Sequence, residues 1–295
     1  MITVLDVLQN RASGVFALAG ALKKGEVNIN IKTVGTATVK YISCDRASGR
    51  IDWAKIAECA GPTRGYVLCR RGLPVPKKLG FKRFYSQSLF RLMAINGAIT
   101  VLSLLKTECR KISLCFCDLS GEYSRYAPLF LPLCGTMTIL TKSCRYNAFP
   151  DYAMGEYGAC VSLCTNVREL PSVSVIVAPR FTPLEAYKGR SCTMFSCGES
   201  CNPRIKSVSA YSWGLPPKYR ALKPNFLSSE YFSQALYSIE KCADAAKISP
   251  HSFYVGTQKL SAAAVASNIL SPAFCALDTA PPKAYNYSYN CKKLS

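Results

Sequence analysis

The sequence is short of acidic residues and of histidine. Its 295 residues include 17 acids against 37 lysines and arginines, which gives a formal net charge of +20. Such a charge attracts polyanions, whether nucleic acid, nucleotides, anionic membranes or acidic partners. The single histidine, His251, stands in a loop-like Ser-Pro-His-Ser-Phe run, so only one imidazole is available as a general base. The sequence also lacks a G-x-S-x-G elbow, a P-loop and a spaced histidine pair. We therefore assign no catalytic residue.

The sequence also lacks a long, strongly apolar run. The longest uncharged stretch, Leu260 to Leu277, is rich in Ala and Ser, contains Asn268 and is broken by Pro272. A membrane-spanning helix needs about 20 predominantly apolar residues. The first residues carry Asp6 and no basic cluster of the kind that opens a signal peptide. We expect no membrane span, a cytoplasmic location and reduced thiols for the 16 cysteines.

Apolar runs alternate with helical patterns through the middle of the chain. The predicted order is a strand at Ile112–Asp118, a turn at Gly121, a helix at Ser124–Cys134, a strand at Met137–Thr141, a helix at Phe149–Gly158, and strand-like runs at Cys160–Cys164 and Ser172–Val177. Strands that alternate with helices favour parallel βαβ units. The prediction is an α/β fold with three layers, a mostly parallel sheet and a βαβαβ core.

The flanking regions divide into four further parts. We predict a small α/β portion at 1–78, a long connecting helix at 79–106, the central core at 107–180, a loop and helical portion at 181–278 and a tail at 279–295. In the N-terminal portion we predict a helical run at 14–22, a hairpin that turns at Gly35 and a helix at Asp52–Cys59 that ends at Gly61. After the core we predict a turn-rich stretch at Cys192–Pro203, a helix from Ser228 or Ser229 to Lys247 and a helix at Gln258–Leu270.

The turn after the first central strand reads Asp118-Leu-Ser-Gly-Glu-Tyr-Ser124. With the strand that ends before Pro179, the layout of residues 112–180 resembles the first half of a Rossmann-like dinucleotide-binding domain, in the style of shikimate dehydrogenase or glutamyl-tRNA reductase. The G-x-G-x-x-G fingerprint is absent, and Gly121 is the glycine of this turn. Lys142 stands where an acid would hold a ribose hydroxyl, and it could suit a 2′-phosphate.

The resemblance implies a nucleotide site at the carboxyl ends of the strands. Its residues would be Ser120, Gly121, Glu122, Tyr123 and Lys142. The alternative is that these residues only build a helix start, with Ser120 or Ser124 as the cap and Glu122 in the first turn. The cofactor itself stays unknown.

A basic stretch precedes the core. No acid occurs between Glu58 and Glu108, and nine basic residues lie in that interval. Aromatic residues at 81, 84 and 85 interleave with them, a combination that can hold phosphates and stacked bases. The candidate nucleic-acid contacts are Arg70, Arg71, Lys77, Lys78, Lys82 and Arg83. The alternative is a solvated basic face whose aromatics belong to the core.

Three cysteines are closely spaced at Cys192, Cys197 and Cys201. Thiolates can bind zinc or an iron–sulfur cluster, but a structural zinc site needs four ligands and commonly uses C-x2-C pairs. We predict no metal site here. The hypotheses left open are a non-enzymatic Rossmann-like binding or interaction protein, which we favour, a nucleotide-dependent oxidoreductase with a divergent phosphate loop, and a nucleic-acid-associated basic protein.

Overall fold

The computed structural model describes residues 1–8, 26–45 and 51–269. They form two compact units: one combines Met1–Leu89 with Gly214–Ile248, and the other combines Phe90–Trp213 with the chain from Ser249 onward. The helical run expected at 14–22 and the tail expected at 279–295 lie outside the described residues.

The described strands and α-helices are named in chain order. The strands are β1 (Ile2–Leu8), β2 (Val27–Val34), β3 (Ala37–Asp45), β4 (Val67–Cys69), β5 (Ser113–Cys117), β6 (Thr136–Leu140), β7 (Val161–Cys164), β8 (Val175–Ala178), β9 (Cys192–Ser196), β10 (Ile205–Ser212), β11 (Ser252–Val255) and β12 (Gln258–Leu260). The helices are α1 (Trp53–Ala60), α2 (Ser88–Leu102), α3 (Phe149–Tyr157), α4 (Ser229–Ser238), α5 (Ala243–Ala246) and α6 (Ala262–Ile269).

The first unit contains a four-stranded sheet in the order β2-β3-β1-β4. Strand β1 is parallel to β3 and β4, while β2 and β3 form the antiparallel hairpin that the alternation predicts, with Gly35 at φ +57° in its turn. Helix α1 begins after Asp52, whose side chain accepts a hydrogen bond from the Lys55 amide, and it ends at Gly61 with φ +59°. Both predicted boundaries of this helix agree with the structure to within one residue.

The chain returns to this unit after Gly214. Tyr231 of α4 donates a hydrogen bond to the Phe84 carbonyl at 2.9 Å, and Tyr41 of β3 donates to the Leu222 carbonyl. The single helix expected up to Lys247 is instead two helices, α4 and α5. Lys241 lies between them with φ +54°, a conformation that a continuous helix does not contain.

The second unit contains an eight-stranded sheet in the order β12-β11-β10-β9-β8-β5-β6-β7. Six neighbouring strands of this sheet are all parallel, in the order β7, β6, β5, β8, β9 and β10. Strands β11 and β12 add two antiparallel strands at one edge. Counted from β5, the parallel strands run 3-2-1-4-5-6, which is the order of the dinucleotide-binding fold. The direction in which successive strands are added to the sheet reverses between β5 and β8. This position is the switch point of the fold. The predicted α/β class and mostly parallel sheet are confirmed.

The central strands are buried on both faces. Leu114 and Phe116 point to one face of β5, and Phe116 packs against Phe130 with ring centroids 5.5 Å apart. Cys115 and Cys117 point to the other face, where residues of the connections after β7 and β8, such as Leu170 and Tyr187, cover them. Strands buried on both faces read as continuous apolar runs, which is why the sequence reveals them.

Several predicted elements differ in type. The element between β5 and β6 is a 3₁₀ helix, Ser124–Leu133, because Pro128 and Pro132 have no N–H to donate to an α-helical ladder. The stretch expected to be turn-rich at Cys192–Pro203 contains strand β9. The expected helix at Gln258–Leu270 begins with strand β12, and α6 follows it.

The long connecting helix predicted at 79–106 is shorter, at Ser88–Leu102. Residues 82–84 lie outside it because they pair with β4: the Val67 amide donates to the Lys82 carbonyl at 2.9 Å, and the Phe84 amide donates to the Val67 carbonyl at 2.8 Å. A 3₁₀ segment, Ser103–Lys111, follows the helix. Within the described ranges, one helical segment, Ser88–Leu105, is long and apolar enough to cross a membrane, but half of it is buried inside the protein and core helices share this composition.

We predict that Gly97 of α2 is required by packing. A Cβ at this position would lie 3.0 Å from the Phe253 ring and 3.2 Å from the Tyr211 ring. Gly97→Val should lower the free energy of unfolding by about 1–3 kcal/mol, because it overpacks this contact. Gly155 of α3 has no heavy atom within 4 Å of the corresponding position, so Gly155→Ala should raise stability by up to about 1 kcal/mol. Urea denaturation measures both, and equal effects would contradict the packing argument.

Candidate functional site

Asp118 directly follows β5 at the switch point, and it is buried. Its carboxylate accepts hydrogen bonds from the Glu122 amide at 3.2 Å, the Tyr123 amide at 2.7 Å, the Tyr146 hydroxyl at 2.8 Å and the Ser120 hydroxyl at 3.3 Å. A buried carboxylate is tolerated when several donors surround it. The turn is therefore folded around Asp118 without any ligand.

This network uses the amides that a phosphate would need. In a dinucleotide-binding turn, backbone N–H groups at the start of the first helix face the pyrophosphate. Here the amides of Glu122 and Tyr123, just before the 3₁₀ helix at Ser124, already bind the Asp118 carboxylate. A phosphate at this place would compete with an internal anion.

Side chains from the loop after β6 fill the space in front of Gly121. Gly121 has φ +72°, and a Cβ there would lie 2.3 Å from the Ser143 hydroxyl oxygen. The Arg145 guanidinium donates a hydrogen bond to the Gly121 carbonyl at 3.1 Å. Glycine is thus required by its conformation and by the approach of Ser143, and the turn packs on protein where a fingerprint turn approaches its cofactor.

An ion pair spans the switch point. The Nε atom of Arg180, which follows β8, lies 3.2 Å from a Glu122 carboxylate oxygen. Both side chains are about half exposed, so the pair contributes little to stability. Its importance is in its position, because it joins the turn after β5 to the connection after β8.

Arg91 of α2, Tyr123 and Cys197 form a second polar group in this unit. Burial and the Glu122 charge raise the pKa of Tyr123 to about 12, while Arg91 acts in the opposite direction through its charge and a hydrogen bond. Burial likewise raises the pKa of the Cys197 thiol to about 12, again opposed by the charge of Arg91. Both groups are neutral at physiological pH, which makes Cys197 a poor nucleophile.

A shallow recess with a cavity volume of about 10 Å³, open to solvent, lies at the carboxyl ends of β8 and β9, one strand from the switch point. Residues that follow the two strands line most of it. They are Ala178, Arg180, Phe181, Thr182, Glu185, Met194, Ser196, Gly198, Glu199 and Ser200. The Phe181 side chain is 71 % exposed, which is unusual for a phenylalanine. The recess therefore combines an exposed aromatic ring with two carboxylates, a guanidinium and hydroxyl groups.

The predicted nucleotide residues lie on this edge of the sheet. Ser120 to Tyr123 form the turn just described, and Lys142 is exposed directly after β6, with its amide donating to the Leu119 carbonyl at 3.3 Å. The sequence did not point to Arg91, Phe181, Glu185 or Glu199. Phe181 comes two residues after Pro179. Ligands bind at the carboxyl ends of parallel strands, so a search of the residues after β8 as well as those after β5 would have included Phe181. Glu199 could not be placed without recognising β9.

The predicted nucleic-acid residues have different roles. The guanidinium of Arg83 donates to the carbonyls of Arg71 at 2.6 Å, Arg70 at 3.0 Å and Leu73 at 2.9 Å, so it fixes a loop. Arg70 lies 3.5 Å from an Asp6 carboxylate oxygen and 4.8 Å from the Phe226 ring centre. Arg71 is exposed, as are Lys77, Lys78 and Lys82.

The three closely spaced cysteines do not form a metal cluster. Cys192 and Cys197 stand at opposite ends of β9, a separation of roughly 15 Å at the rise of a strand. Cys201 is exposed in the following loop. Within residues 1–8, 26–45 and 51–269, no group of three or more His, Cys, Asp and Glu side chains could hold a metal ion.

Comparison with known proteins assigns no residue roles. No family model matches the chain, and no curated protein matches it. Two of the similar solved structures are L-tryptophan dehydrogenase from Nostoc punctiforme, with a TM-score of 0.27 and 8% identity, and D-lactate dehydrogenase with NAD+ from Lactobacillus jensenii, with a TM-score of 0.31 and 12% identity. The alignments cover 68% and 67% of this chain, and 63% and 77% of those chains. The chain thus spans less than two thirds of the first of them.

We predict that Asp118 and Tyr146 stabilise the turn as a unit. Asp118→Asn should lower the free energy of unfolding by about 2–3 kcal/mol and Tyr146→Phe by about 1 kcal/mol, because each leaves a buried partner unsatisfied. The double variant should cost less than the sum by about 1 kcal/mol. Chemical denaturation measures this cycle, with Tyr152→Phe, an exposed tyrosine, as control. Strict additivity would contradict a shared network.

We also predict that Cys197 resists alkylation. Because its pKa is raised to about 12, the thiol stays protonated at pH 8, and reaction requires the thiolate. The exposed Cys144, Cys160 and Cys201 should react with iodoacetamide first. Peptide mass spectrometry of the native protein separates these sites. Rapid labelling of Cys197 in the folded state would contradict its raised pKa.

Proposed function

We propose that this chain is a non-enzymatic Rossmann-like binding protein. Its ligand would be held at the carboxyl ends of β8 and β9 and would contain a nucleoside. The observation that carries the proposal is the Asp118 network, which occupies the amides of Glu122 and Tyr123. A ligand recognised through its base and sugar does not need those amides, whereas a pyrophosphate does. The proposal includes the specific resemblance of residues 112–180 to the dinucleotide-binding half of shikimate dehydrogenase or glutamyl-tRNA reductase.

The chemistry of the recess supports a nucleoside. The exposed Phe181 ring offers a face on which a base can stack. Glu185 and Glu199 offer carboxylate oxygens that accept hydrogen bonds from sugar hydroxyls, and Ser196 and Ser200 add hydroxyl groups. In open parallel sheets, ligands bind outside the carboxyl ends of the strands near the switch point. The recess lies on that edge.

A lack of catalytic groups favours binding without chemistry. His251 is exposed. It does not line the recess. The raised pKa of Cys197 also argues against a thiolate nucleophile at neutral pH.

A nucleotide-dependent oxidoreductase is the second candidate. Lys142 favours it, since this exposed cation stands after β6, where a 2′-phosphate would lie. In that case the cofactor would contact Ser120, Gly121, Glu122 and Tyr123. The amides of Glu122 and Tyr123 would then have to break their hydrogen bonds to the Asp118 carboxylate. This candidate predicts that NADP+ stabilises the protein more than NAD+ does, and that Lys142→Ala removes the difference.

We predict the following thermal-shift result. At about 1 mM ligand, adenosine, AMP or S-adenosylmethionine should raise the Tm, because a ligand that binds only the native state stabilises it. NAD+ and NADP+ should not raise the Tm further than AMP does. Phe181→Ala and the pair Glu185→Gln with Glu199→Gln should abolish the shift.

The matched controls are Phe149→Ala and Glu169→Gln, which lie away from the recess. Neither should alter the ligand-induced shift, whatever it does to the baseline Tm. A Tm that no nucleoside-containing ligand changes would reject the proposal. A shift specific to NADP+ and dependent on Lys142 would replace it with the oxidoreductase.

A further inference from the structure

We propose that an exposed surface of the first unit binds single-stranded nucleic acid. The surface consists of Arg64, Tyr66, Lys77, Lys78 and Lys82, and we refer to it as the Tyr66 surface. It keeps only three of the six basic residues that the sequence suggested, and it adds a cation and an aromatic ring. It is separate from the recess at β8 and β9, so this proposal does not depend on the proposed function.

Backbone pairing brings Lys82 beside the segment that contains Arg64 and Tyr66. The Lys82 amide donates a hydrogen bond to the Arg64 carbonyl at 3.0 Å, and the Val67 amide donates to the Lys82 carbonyl at 2.9 Å. Arg64 also packs on Gly80, where its Nε atom lies 3.1 Å from the position of a Cβ. The short 3₁₀ helix at Lys77–Leu79 leads directly into this pairing. Residues distant in sequence therefore share one edge of the unit.

The polar groups of this surface are available to a partner. Tyr66 is 39% exposed, and the four cations are exposed. Among the described residues, none of the ion pairs involves Arg64, Lys77, Lys78 or Lys82. Arg70 and Arg83 differ, because Asp6, Phe226 and backbone carbonyls already engage their guanidinium groups. The structure thus separates cations that hold the fold from cations that face solvent.

The arrangement matches the chemistry of a single strand. Basic side chains follow the phosphates, and an exposed aromatic ring stacks on an unpaired base. A duplex hides its bases from such a ring. An anionic membrane or another polyanion would use the lysines but would gain nothing specific from stacking on Tyr66. Tyr66 therefore distinguishes a single strand from other polyanions.

The first test removes the charge. Fluorescence anisotropy with a labelled oligo(U) should detect binding by the intact chain that weakens as potassium chloride increases. The triple variant Lys77→Gln, Lys78→Gln, Lys82→Gln should weaken binding and reduce the slope of log affinity against log salt by about 2, since each lost phosphate contact contributes about 0.7. Arg83 is left unchanged because it supports the loop at Arg70–Leu73.

A matched control removes three exposed lysines elsewhere, with Lys188→Gln, Lys247→Gln and Lys259→Gln. It carries the same change in net charge, so it should retain most of the affinity. If the control loses as much affinity as the Tyr66-surface variant, binding follows net charge alone and the proposed site is overturned. If neither protein binds oligo(U), the proposal is also overturned.

The second test addresses stacking. Tyr66→Ala should weaken oligo(U) binding about fivefold or more, which is the typical effect of losing one stacked base. Tyr66→Phe keeps the ring and should bind like the parent protein. Circular dichroism of each variant verifies that the unit stays folded. Equal affinity of Tyr66→Ala and parent, or tighter binding of a duplex or of phosphatidylserine vesicles than of oligo(U), would overturn the assignment to a single strand.

Discussion

The hydrogen-bonded carboxylate of Asp118 is the constraint on which the carboxyl edge of the large sheet depends. It ends β5, the strand next to the reversal of strand order, and it lies almost entirely out of solvent. A charge in that position is costly unless donors surround it. Backbone amides from its own turn and the hydroxyl of Tyr146 meet that need. Burial of the Tyr146 hydroxyl, together with the charge of Asp118 and the hydrogen bond to it, raises the pKa of Tyr146, which therefore remains a donor at physiological pH.

This internal anion changes what the fold can bind. In dinucleotide-binding domains the start of the first helix is left open for a pyrophosphate. Here the same amides are satisfied within the chain, and Ser143 and Arg145 pack against Gly121 from the neighbouring strand. The strand order is that of the dinucleotide-binding fold, and the amides of Glu122 and Tyr123 are hydrogen-bonded to Asp118. The recess to which we assign the proposed ligand lies beside β8 and β9, where Phe181 and two glutamates follow the strands.

The sequence revealed most of the large sheet and little of the site. Val175–Ala178 and Ser113–Cys117 are found as strands because both faces are buried and the residues are apolar. Strand β9 is missed since it reads Cys-Thr-Met-Phe-Ser, although all five residues are buried. The site depends on tertiary pairing that a local pattern does not contain: Tyr146 reaches Asp118 across 28 residues of sequence. Local turn chemistry identified Gly121, but it could not identify what faces the glycine.

The positive charge of the chain divides into two classes of cation for a physical reason. Arginine presents several N–H donors in a planar group, so one side chain can join several carbonyls, as Arg83 does with three. Lysine presents a compact, strongly hydrated ammonium that gains less from such contacts. Arg83 holds its loop together in this way, whereas Lys77, Lys78 and Lys82 are exposed to solvent. The net charge counts both classes of cation together, although only the cations that face solvent are free to attract a polyanion. The exposed Tyr66 ring beside these lysines is the feature on which our proposal of single-strand binding depends.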